Sequence, residues 1–165
     1  MTERQRFTGK VAMVTGAGHG IGAAIATRLA GEGAAVLACD ISAERAEAKA
    51  NELRRAGAKS AAAIMDVRER ASVEATVAKA RQDFGGLDVL VNAAGVMDRA
   101  PFLDMTDELW RKVLETNLTG LFLCCQAAAR AMVASGTHGS IVNIASGSGI
   151  LGGQGRGAYA PARPA

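Results

Sequence analysis

The feature that most constrains the fold is a regular alternation of short apolar, β-branched runs with longer segments of helical length. Most of the short runs lack polar alternation, as is typical of parallel strands covered on both faces. Five runs are predicted as strands, at residues 11–15, 35–39, 61–65, 87–92 and 140–145. Four helices are predicted, at residues 21–31, 43–56, 71–84 and 106–134. Strict alternation of this kind predicts an α/β fold with a doubly wound parallel sheet and helices on both faces.

Length and composition favour one domain with a thin, tightly packed core. The chain has 165 residues, and a single domain of that size buries most of its apolar surface. Hydrophobic residues make up 49% and aromatic residues only 4%, which suits small side chains on closely packed helices. The 19 Lys and Arg residues against 16 Asp and Glu are scattered, so no nucleic-acid partner is expected.

The sequence gives no sign of a membrane segment or a metal site. Gln126 and Arg130 interrupt the most apolar stretch, and no apolar segment follows the charged start, so we expect a cytoplasmic protein without a membrane partner. The three cysteines, Cys39, Cys124 and Cys125, have no C-x-x-C spacing. They are interpreted as small buried residues in a reducing compartment, and no metal ligand set is predicted.

The glycine-rich loop TGAGHGIG, residues 15–22, follows the first predicted strand and opens the first helix. Glycines let backbone amides approach a pyrophosphate, and the helix N-terminus adds unpaired N–H groups and a positive dipole end. The spacing differs from G-x-G-x-x-G, and no Gly-Lys-Ser/Thr follows, which excludes a P-loop. The loop contains more glycines than a tight turn requires. Candidate phosphate contacts are Gly16, His19, Gly20, Ile21 and Gly22.

Asp40 ends the second predicted strand and is the candidate determinant of cofactor choice. A carboxylate at this place can accept both hydroxyls of an adenosine ribose and would repel a 2′-phosphate. No arginine lies in the glycine loop or directly after Asp40, where Ile41 stands. The sequence therefore predicts NAD in preference to NADP, with Asp40 and Ile41 at the adenosine end. A lone aspartate after a strand is otherwise usually a turn residue.

The next two predicted strands also end in candidate cofactor contacts. Asp66 and Val67 follow the third strand, and Asn92, Ala93 and Gly95 lie at the end of the fourth. These ends meet at the carboxyl edge, where a doubly wound sheet binds its ligand. Asp66 is predicted to hold the adenine amino group. The small residues of NAAG are predicted to let the nicotinamide ribose approach the backbone.

Taken together with Asn117 in ETNLTG, Ser146 and Tyr159, these motifs resemble the short-chain dehydrogenase/reductase family in order and spacing. The resemblance covers about residues 9–159. It implies a Rossmann-type sheet of order 3-2-1-4-5, without the sixth strand and C-terminal helices of complete members. It implies that Tyr159 is the general acid/base and contacts the cofactor, that Ser146 holds the substrate oxygen, and that Asn117 anchors a relay water.

The resemblance implies an NAD(P)-dependent oxidoreductase that interconverts a secondary alcohol and a ketone. An inactive remnant that retains only nucleotide binding is the alternative. A methyltransferase shares the glycine loop and the acid after the second strand, but it would not need Asn117, Ser146 and Tyr159. The later half of the long helix is apolar around nearly its whole circumference, so it needs a further partner, either a homo-oligomer contact or the missing C-terminal helix. We expect self-association of the complete protein through this helix.

The last residues depart from the family pattern Y-x-x-x-K. The sequence YAPARPA has Arg163 in place of the lysine, and an arginine fork is bulkier than an ammonium. Pro161 and Pro164 do not suit the helix expected there. A family-like YAASKAG reads YAPARPA when one G of its third codon is lost, so residues 160–165 are interpreted as an out-of-frame tail of a single truncated domain, residues 1–165. Resequencing the locus tests this, and we expect the 165-residue chain alone to be poorly stable and nearly inactive.

Overall fold

The fold is a five-stranded parallel sheet with helices on both faces. A computed structural model describes residues 5–163. The order along the sheet is β3-β2-β1-β4-β5, and every neighbouring pair is parallel, so the predicted order is confirmed. The strands are β1 at Val11–Thr15, β2 at Ala35–Asp40, β3 at Ser60–Ile64, β4 at Val89–Asn92 and β5 at Ser140–Asn143.

Helices follow the strands in the predicted alternation. They are α1 at Gly20–Gly31, α2 at Ala43–Arg55, α3 at Arg70–Phe84, α4 at Asp107–Leu114 and α5 at Gly120–Ala134. The one long helix predicted at residues 106–134 is interrupted by a π-helical turn, Glu115–Thr119, which joins α4 to α5. Short 3₁₀ turns lie at Phe102–Asp104 and Gly147–Gly149.

Local sequence explains where several helices begin and end. Ser42 caps α2 by accepting a hydrogen bond from the Arg45 N–H at 3.3 Å, and Thr106 caps α4 in the same way through Leu109 N–H at 3.2 Å. Gly85 ends α3 in the left-handed conformation with φ 89°, which a residue without a Cβ adopts at little cost. By contrast, α1 has no side-chain cap at its N-terminus.

Two apolar layers hold the helices to the sheet, because successive strand residues face opposite sides. Met13, Leu37 and Leu90 face α3 and α5, where they pack with side chains such as Val73, Val77, Leu123, Cys124 and Ala128. Val14, Val36 and Ala38 face α1 and α2, where they pack with Ala26, Leu29, Ala50 and Leu53. Alanines at many of these positions allow the close packing that the composition predicted.

The sheet is unevenly covered along its width. All five residues of β1 are buried, whereas all four residues of β5 are exposed, including Ile141 at 36% and Val142 at 46%. Strands β4 and β5 are also shorter than predicted. Leu87 and the residues after Asn143 are not paired with a neighbouring strand. The described part of the chain therefore leaves the β5 side of the sheet open.

The helical segment Asp107–Ala134, which consists of α4, the π-helical turn and α5, is long and apolar enough to cross a membrane by length and composition alone. One such helix is weak evidence, because a core helix passes the same test. Its buried residues pack against the sheet and α3, among them Leu123, Cys124 and Ala128. Packing on the sheet accounts for the apolar residues on its buried face, while others such as Phe122 and Val133 remain exposed.

Candidate functional site

The carboxyl ends of the strands open into one cavity of about 480 Å³. That size lies within the range of small-molecule sites. It is lined mainly by the loops that follow β1, β2, β3 and β4. The cavity brings together most of the predicted cofactor contacts, which are Gly16, His19, Gly20, Ile21, Gly22, Asp40, Ile41, Asp66, Val67, Ala93 and Gly95.

The uncapped N-terminus of α1 faces this cavity. His19 occupies the N-cap position without a side-chain cap hydrogen bond, and the first turn contains no acidic residue. The first backbone N–H groups of any α-helix lack partners within the helix. Here those of Gly20, Ile21 and Gly22 remain available beside the positive end of the helix dipole. The arrangement suits a bound phosphate or pyrophosphate.

Two glycines allow the loop to pack closely on the strand ends. A Cβ on Gly22 would collide with the carbonyl oxygen of Gly16. A Cβ on Gly16, which has φ 64°, would lie 2.9 Å from the Cα of Ala94. Side chains at these positions would therefore push α1 and the loop after β4 away from β1. The glycine spacing reflects these two close approaches.

Asp40 lies at the cavity wall and is 4% exposed. Its Oδ2 accepts a hydrogen bond from Gly18 N–H at 3.1 Å, and its Oδ1 accepts one from Ser42 N–H at 3.0 Å. The Arg45 guanidinium also donates to Oδ1, from Nη2 at 3.0 Å and from Nε at 3.2 Å. Protein donors thus already engage both oxygens of the carboxylate that was predicted to accept ribose hydroxyls.

Asp66 forms a second carboxylate–arginine pair on the cavity wall. Arg68 donates from Nη2 to Oδ2 at 2.6 Å and from its backbone N–H to Oδ1 at 3.0 Å. The side-chain hydrogen bond from Arg68 is the largest cause that lowers the pKa of Asp66. Asp66 is therefore a charged hydrogen-bond acceptor at neutral pH.

The loop after β4 is fixed by a buried hydroxyl. Thr15 Oγ1 accepts hydrogen bonds from the N–H groups of Ala93 and Ala94, at 3.1 and 3.0 Å. The side chain of Asn92 points elsewhere and does not line the cavity, because its Nδ2 donates to Asn143 Oδ1 at 2.9 Å across the β4–β5 pair. Asn92 therefore links two strands, and the small residues after it form the cavity wall.

Asn117 lies in the π-helical turn and is 1% exposed. Its Oδ1 accepts a hydrogen bond from Val96 N–H at 2.9 Å, and its Nδ2 donates to the Val96 carbonyl at 2.8 Å. Both polar atoms of the side chain are thereby used to hold the loop after β4. An interior π turn often marks a functional position in a helix.

Ser146 and Tyr159 lie outside the lining of the cavity. Ser146 Oγ accepts a hydrogen bond from Ser148 N–H at 3.2 Å and so caps a 3₁₀ turn. Tyr159 is half-buried beside Val113, Ala158 and Ala162. Within residues 5–163, no hydrogen bond joins the two hydroxyls. The structure places the predicted pair on the β4–β5 side, apart from the adenosine-side residues.

Arg163 is buried on the β4–β5 side of the sheet, the side on which Ser146 and Tyr159 lie. Its Nη2 donates to the Ala94 carbonyl at 2.6 Å, its Nη1 donates to the Ile144 carbonyl, and its Nε has no partner within the described residues. Burial lowers the pKa of Arg163, and the nearby Tyr159 opposes that effect. The residues before it, including Pro161, form turns and no helix, and Pro164 lies outside the described residues.

Sequence reasoning missed Arg45, Arg68, Lys112 and Thr116, which also line the cavity. A signal existed for Arg45. Once Ser42 is taken as the N-cap of α2, Arg45 falls in the first turn, and side chains there lean back toward the preceding strand end. Within residues 5–163, no group of three or more His, Cys, Asp or Glu side chains is placed to hold a metal ion.

Comparisons with known proteins agree with this fold. A family model described as short chain dehydrogenase matches residues 10–165. D-threitol dehydrogenase of Mycolicibacterium smegmatis is 45% identical over 86% of this chain and 54% of its own length. A 3-oxoacyl-acyl-carrier-protein reductase of Escherichia coli is 40% identical over 95% of this chain, and sorbitol dehydrogenase of Cereibacter sphaeroides is 40% identical over 89%. The chain spans 63% and 56% of the lengths of those two.

Proposed function

Because this chain belongs to the short-chain dehydrogenase family, we propose that it forms the cofactor-binding part of an NAD(P)-dependent oxidoreductase. The reaction proposed for the whole protein interconverts a secondary alcohol and a ketone. The observation that carries the proposal is the cavity at the uncapped N-terminus of α1, walled by Asp40 and Asp66. A nicotinamide cofactor bound there supplies hydride exchange, and the protein supplies binding and orientation.

Specific residues suit each part of such a cofactor. The amides of Gly20, Ile21 and Gly22 suit the pyrophosphate, with His19 at the rim. Asp40 and Ile41 suit the adenosine ribose, and Asp66 with Val67 suits the adenine. A negative charge at Asp40 favours NAD over NADP, and that preference is part of the proposal. Ala93 and Gly95 lead from the pyrophosphate toward Tyr159.

The proton chemistry is assigned to the β4–β5 side. We assign Tyr159 Oη to proton exchange with the substrate oxygen, and Ser146 Oγ to holding that oxygen. A phenol has a pKa of about 10, so it needs a nearby cation to act at neutral pH. Arg163 lies close to Tyr159 and is the positive group that stands in the place of the family's lysine. Asn117 keeps Val96 and its loop in position and carries the relay water of the proposal.

Nucleotide titration followed by turnover tests this function. NADH, NADPH and ADP-ribose are titrated by isothermal calorimetry, and a set of secondary alcohols and ketones is then assayed with each cofactor. We expect NADH and ADP-ribose to bind, and NADPH to bind more weakly than NADH. Turnover should be weak, because Ser146 and Tyr159 do not line the cavity. Tyr159→Phe should abolish the turnover without changing the affinity for ADP-ribose.

Three outcomes would contradict parts of the proposal. Absence of binding by either nucleotide would remove the cofactor site. A higher affinity for NADPH than for NADH would reverse the cofactor preference. Binding without any turnover would favour a chain that only binds nucleotide, an alternative for which the relatives, named as dehydrogenases or reductases, give no support.

We also propose that the complete protein is cytoplasmic and self-associates through α4 and α5. Leu118 is 44% exposed, Phe122 52% and Val133 81%, so this long helix keeps apolar surface that the sheet does not cover. Exposed apolar surface of this kind often marks an interface. A monomeric sedimentation profile for a full-length protein would contradict the proposal. Phe122→Glu is the variant expected to weaken association if it occurs there.

A further inference from the structure

The adenosine end of the cavity contains an arginine whose position bears on cofactor choice. Arg45 lies in the first turn of α2 and lines the cavity beside Asp40 and Ile41. Its side chain is 46% exposed, while that of Asp40 is 3% exposed. The positive group therefore lies nearer to solvent and to an incoming ligand than the negative group with which it pairs.

The charge of Asp40 is locally compensated. Its two oxygens accept hydrogen bonds from two backbone N–H groups and from two nitrogens of Arg45. Charge-assisted hydrogen bonds of this type offset much of the field of a carboxylate close by. Because Asp40 is paired with Arg45, it should repel an approaching 2′-phosphate less strongly than an unpaired aspartate would.

Arg45 also keeps donors for a ligand. A guanidinium has five N–H donors, and here Nε and Nη2 are directed at Asp40 Oδ1. Nη1 has no hydrogen-bond partner within residues 5–163. Since the ribose is assigned to Asp40, a phosphate on its 2′ oxygen would lie next to the same guanidinium. Arginine binds phosphate through this planar arrangement of donors.

Gly18 makes the close approach of these groups possible. A Cβ at this position would lie 2.6 Å from Asp40 Oδ2 and 2.5 Å from the Cβ of Arg45. The loop, the carboxylate and the first turn of α2 thus pack against one another only because residue 18 has no side chain. The pairing of Arg45 with Asp40 is consequently built into the packing of the glycine loop.

We propose that Arg45 is a specificity-determining residue that allows the cavity to accept a 2′-phosphate on the adenosine ribose. The inference rests on the proposed function, because it assumes that the ribose lies at Asp40. Asp40 favours NAD, and Arg45 limits the size of that preference. The protein then uses both NAD and NADP, with affinities closer together than an aspartate alone would produce.

The test compares two ligands that differ only in the phosphate. ADP-ribose and 2′-phospho-ADP-ribose are titrated by calorimetry against the wild-type chain, Arg45→Gln and the matched control Arg68→Gln. The control removes a cation from the same cavity, but one that pairs with Asp66. We expect Arg45→Gln to weaken 2′-phospho-ADP-ribose binding by about 10-fold, with ADP-ribose within about 2-fold of wild type. Arg68→Gln should leave the ratio of the two affinities unchanged.

Each outcome is decisive for one proposal. If neither ligand binds the wild-type chain, the proposed function fails before Arg45 is tested. If both bind and Arg45→Gln leaves their affinity ratio unchanged, the inference is overturned and the cofactor site stands. If Arg45→Gln does not fold, Arg45→Lys replaces it. Its single ammonium cannot serve Asp40 and a phosphate as the fork does, so a loss of about 3-fold or more for the 2′-phosphate ligand is expected, and an unchanged ratio overturns the inference.

Discussion

The two sides of the sheet's carboxyl edge are organised to different degrees. On the β1–β3 side, the glycine loop, Asp40 and Asp66 surround a cavity, and both carboxylates have fixed hydrogen-bond partners. On the β4–β5 side, Ser146 and Tyr159 lie in turns beside an exposed strand. The difference teaches that a site at the edge of a parallel sheet is well defined where helices cover both faces of the strands that carry it.

Thr15→Val should have the largest effect, because it removes a buried hydroxyl that holds part of the cavity wall on the better organised side. Valine keeps the shape of threonine but leaves the N–H groups of Ala93 and Ala94 without their acceptor. The free energy of unfolding should fall by about 2–6 kcal/mol, since each of the two unpaired groups costs about 1–3 kcal/mol. Urea denaturation measures this. Thr119→Val, which removes an exposed hydroxyl that makes no hydrogen bond within residues 5–163, is the control and should change stability by less than about 0.5 kcal/mol.

Gly22→Ala should disturb the β1–β3 side and spare the other. The new methyl group would collide with the Gly16 carbonyl, and such overpacking costs about 1–3 kcal/mol of stability. Calorimetry should also show ADP-ribose binding weakened by at least about 10-fold, because the amides at the start of α1 move. Gly31→Ala is the matched control on the same helix, since its Cβ would meet nothing within 4 Å. Equal behaviour of the two variants would contradict the packing role of Gly22.

Arg163→Ala should test the contrast, because Arg163 lies on the β4–β5 side and reaches the cavity through its hydrogen bond to Ala94. The carbonyls of Ala94 and Ile144 lose their donor, which should lower the free energy of unfolding by about 1–2 kcal/mol. Calorimetry with ADP-ribose should detect less than about a 2-fold change in affinity. Arg163→Lys keeps the charge but donates to fewer acceptors, so its free energy of unfolding should lie between those of the wild type and Arg163→Ala. A large loss of ADP-ribose affinity would mean that the two sides are not independent.

Glu32→Gln should have the smallest effect and should touch neither side. The pKa of Glu32 is lowered from 4.5 to about 2 by Arg6 first and then by Arg28. A lowered pKa in the folded state gives stability that is complete above about pH 4.5 and is lost as pH falls toward 2. Urea midpoints at pH 6 and pH 3 should therefore differ less in the variant than in wild type. Glu47→Gln, in an exposed pair with Arg54, should leave that difference unchanged.

The order of the strands could be predicted from sequence because it follows from alternation and crossover handedness. The glycine loop was equally predictable, since its glycines have a physical reason in the close approaches of Gly16 and Gly22. The side-chain direction of Asn92 was not, because it depends on Asn143, which lies far along the chain and pairs with it across the sheet. The prediction that a ribose binds Asp40 did not take Arg45 into account. Whether the Arg45 side chain contacts Asp40 depends on the residue at which α2 begins.

The tail shows a second limit of sequence reasoning. Arg163 was interpreted as an imperfect replacement for a lysine, whereas its burial against Ala94 and Ile144 could not be anticipated from YAPARPA. Burial of an arginine depends on backbone carbonyls supplied by distant loops, and no local pattern encodes them. The proposal of an out-of-frame tail concerns the gene and is tested by its sequence.

The π-helical turn at Glu115–Thr119 lets this helix take up one residue without losing its packing. The turn contains more residues than an α-helical turn, so removing one residue would convert it to regular helix. Because the wide turn is what accommodates that residue, α5 would keep nearly the same face toward the sheet, and Leu123, Cys124 and Ala128 would stay packed there. The change would fall instead on Asn117, whose contacts with Val96 depend on the turn. Related sequences that lack one residue here should therefore keep the core of α5 and differ in the loop that follows β4.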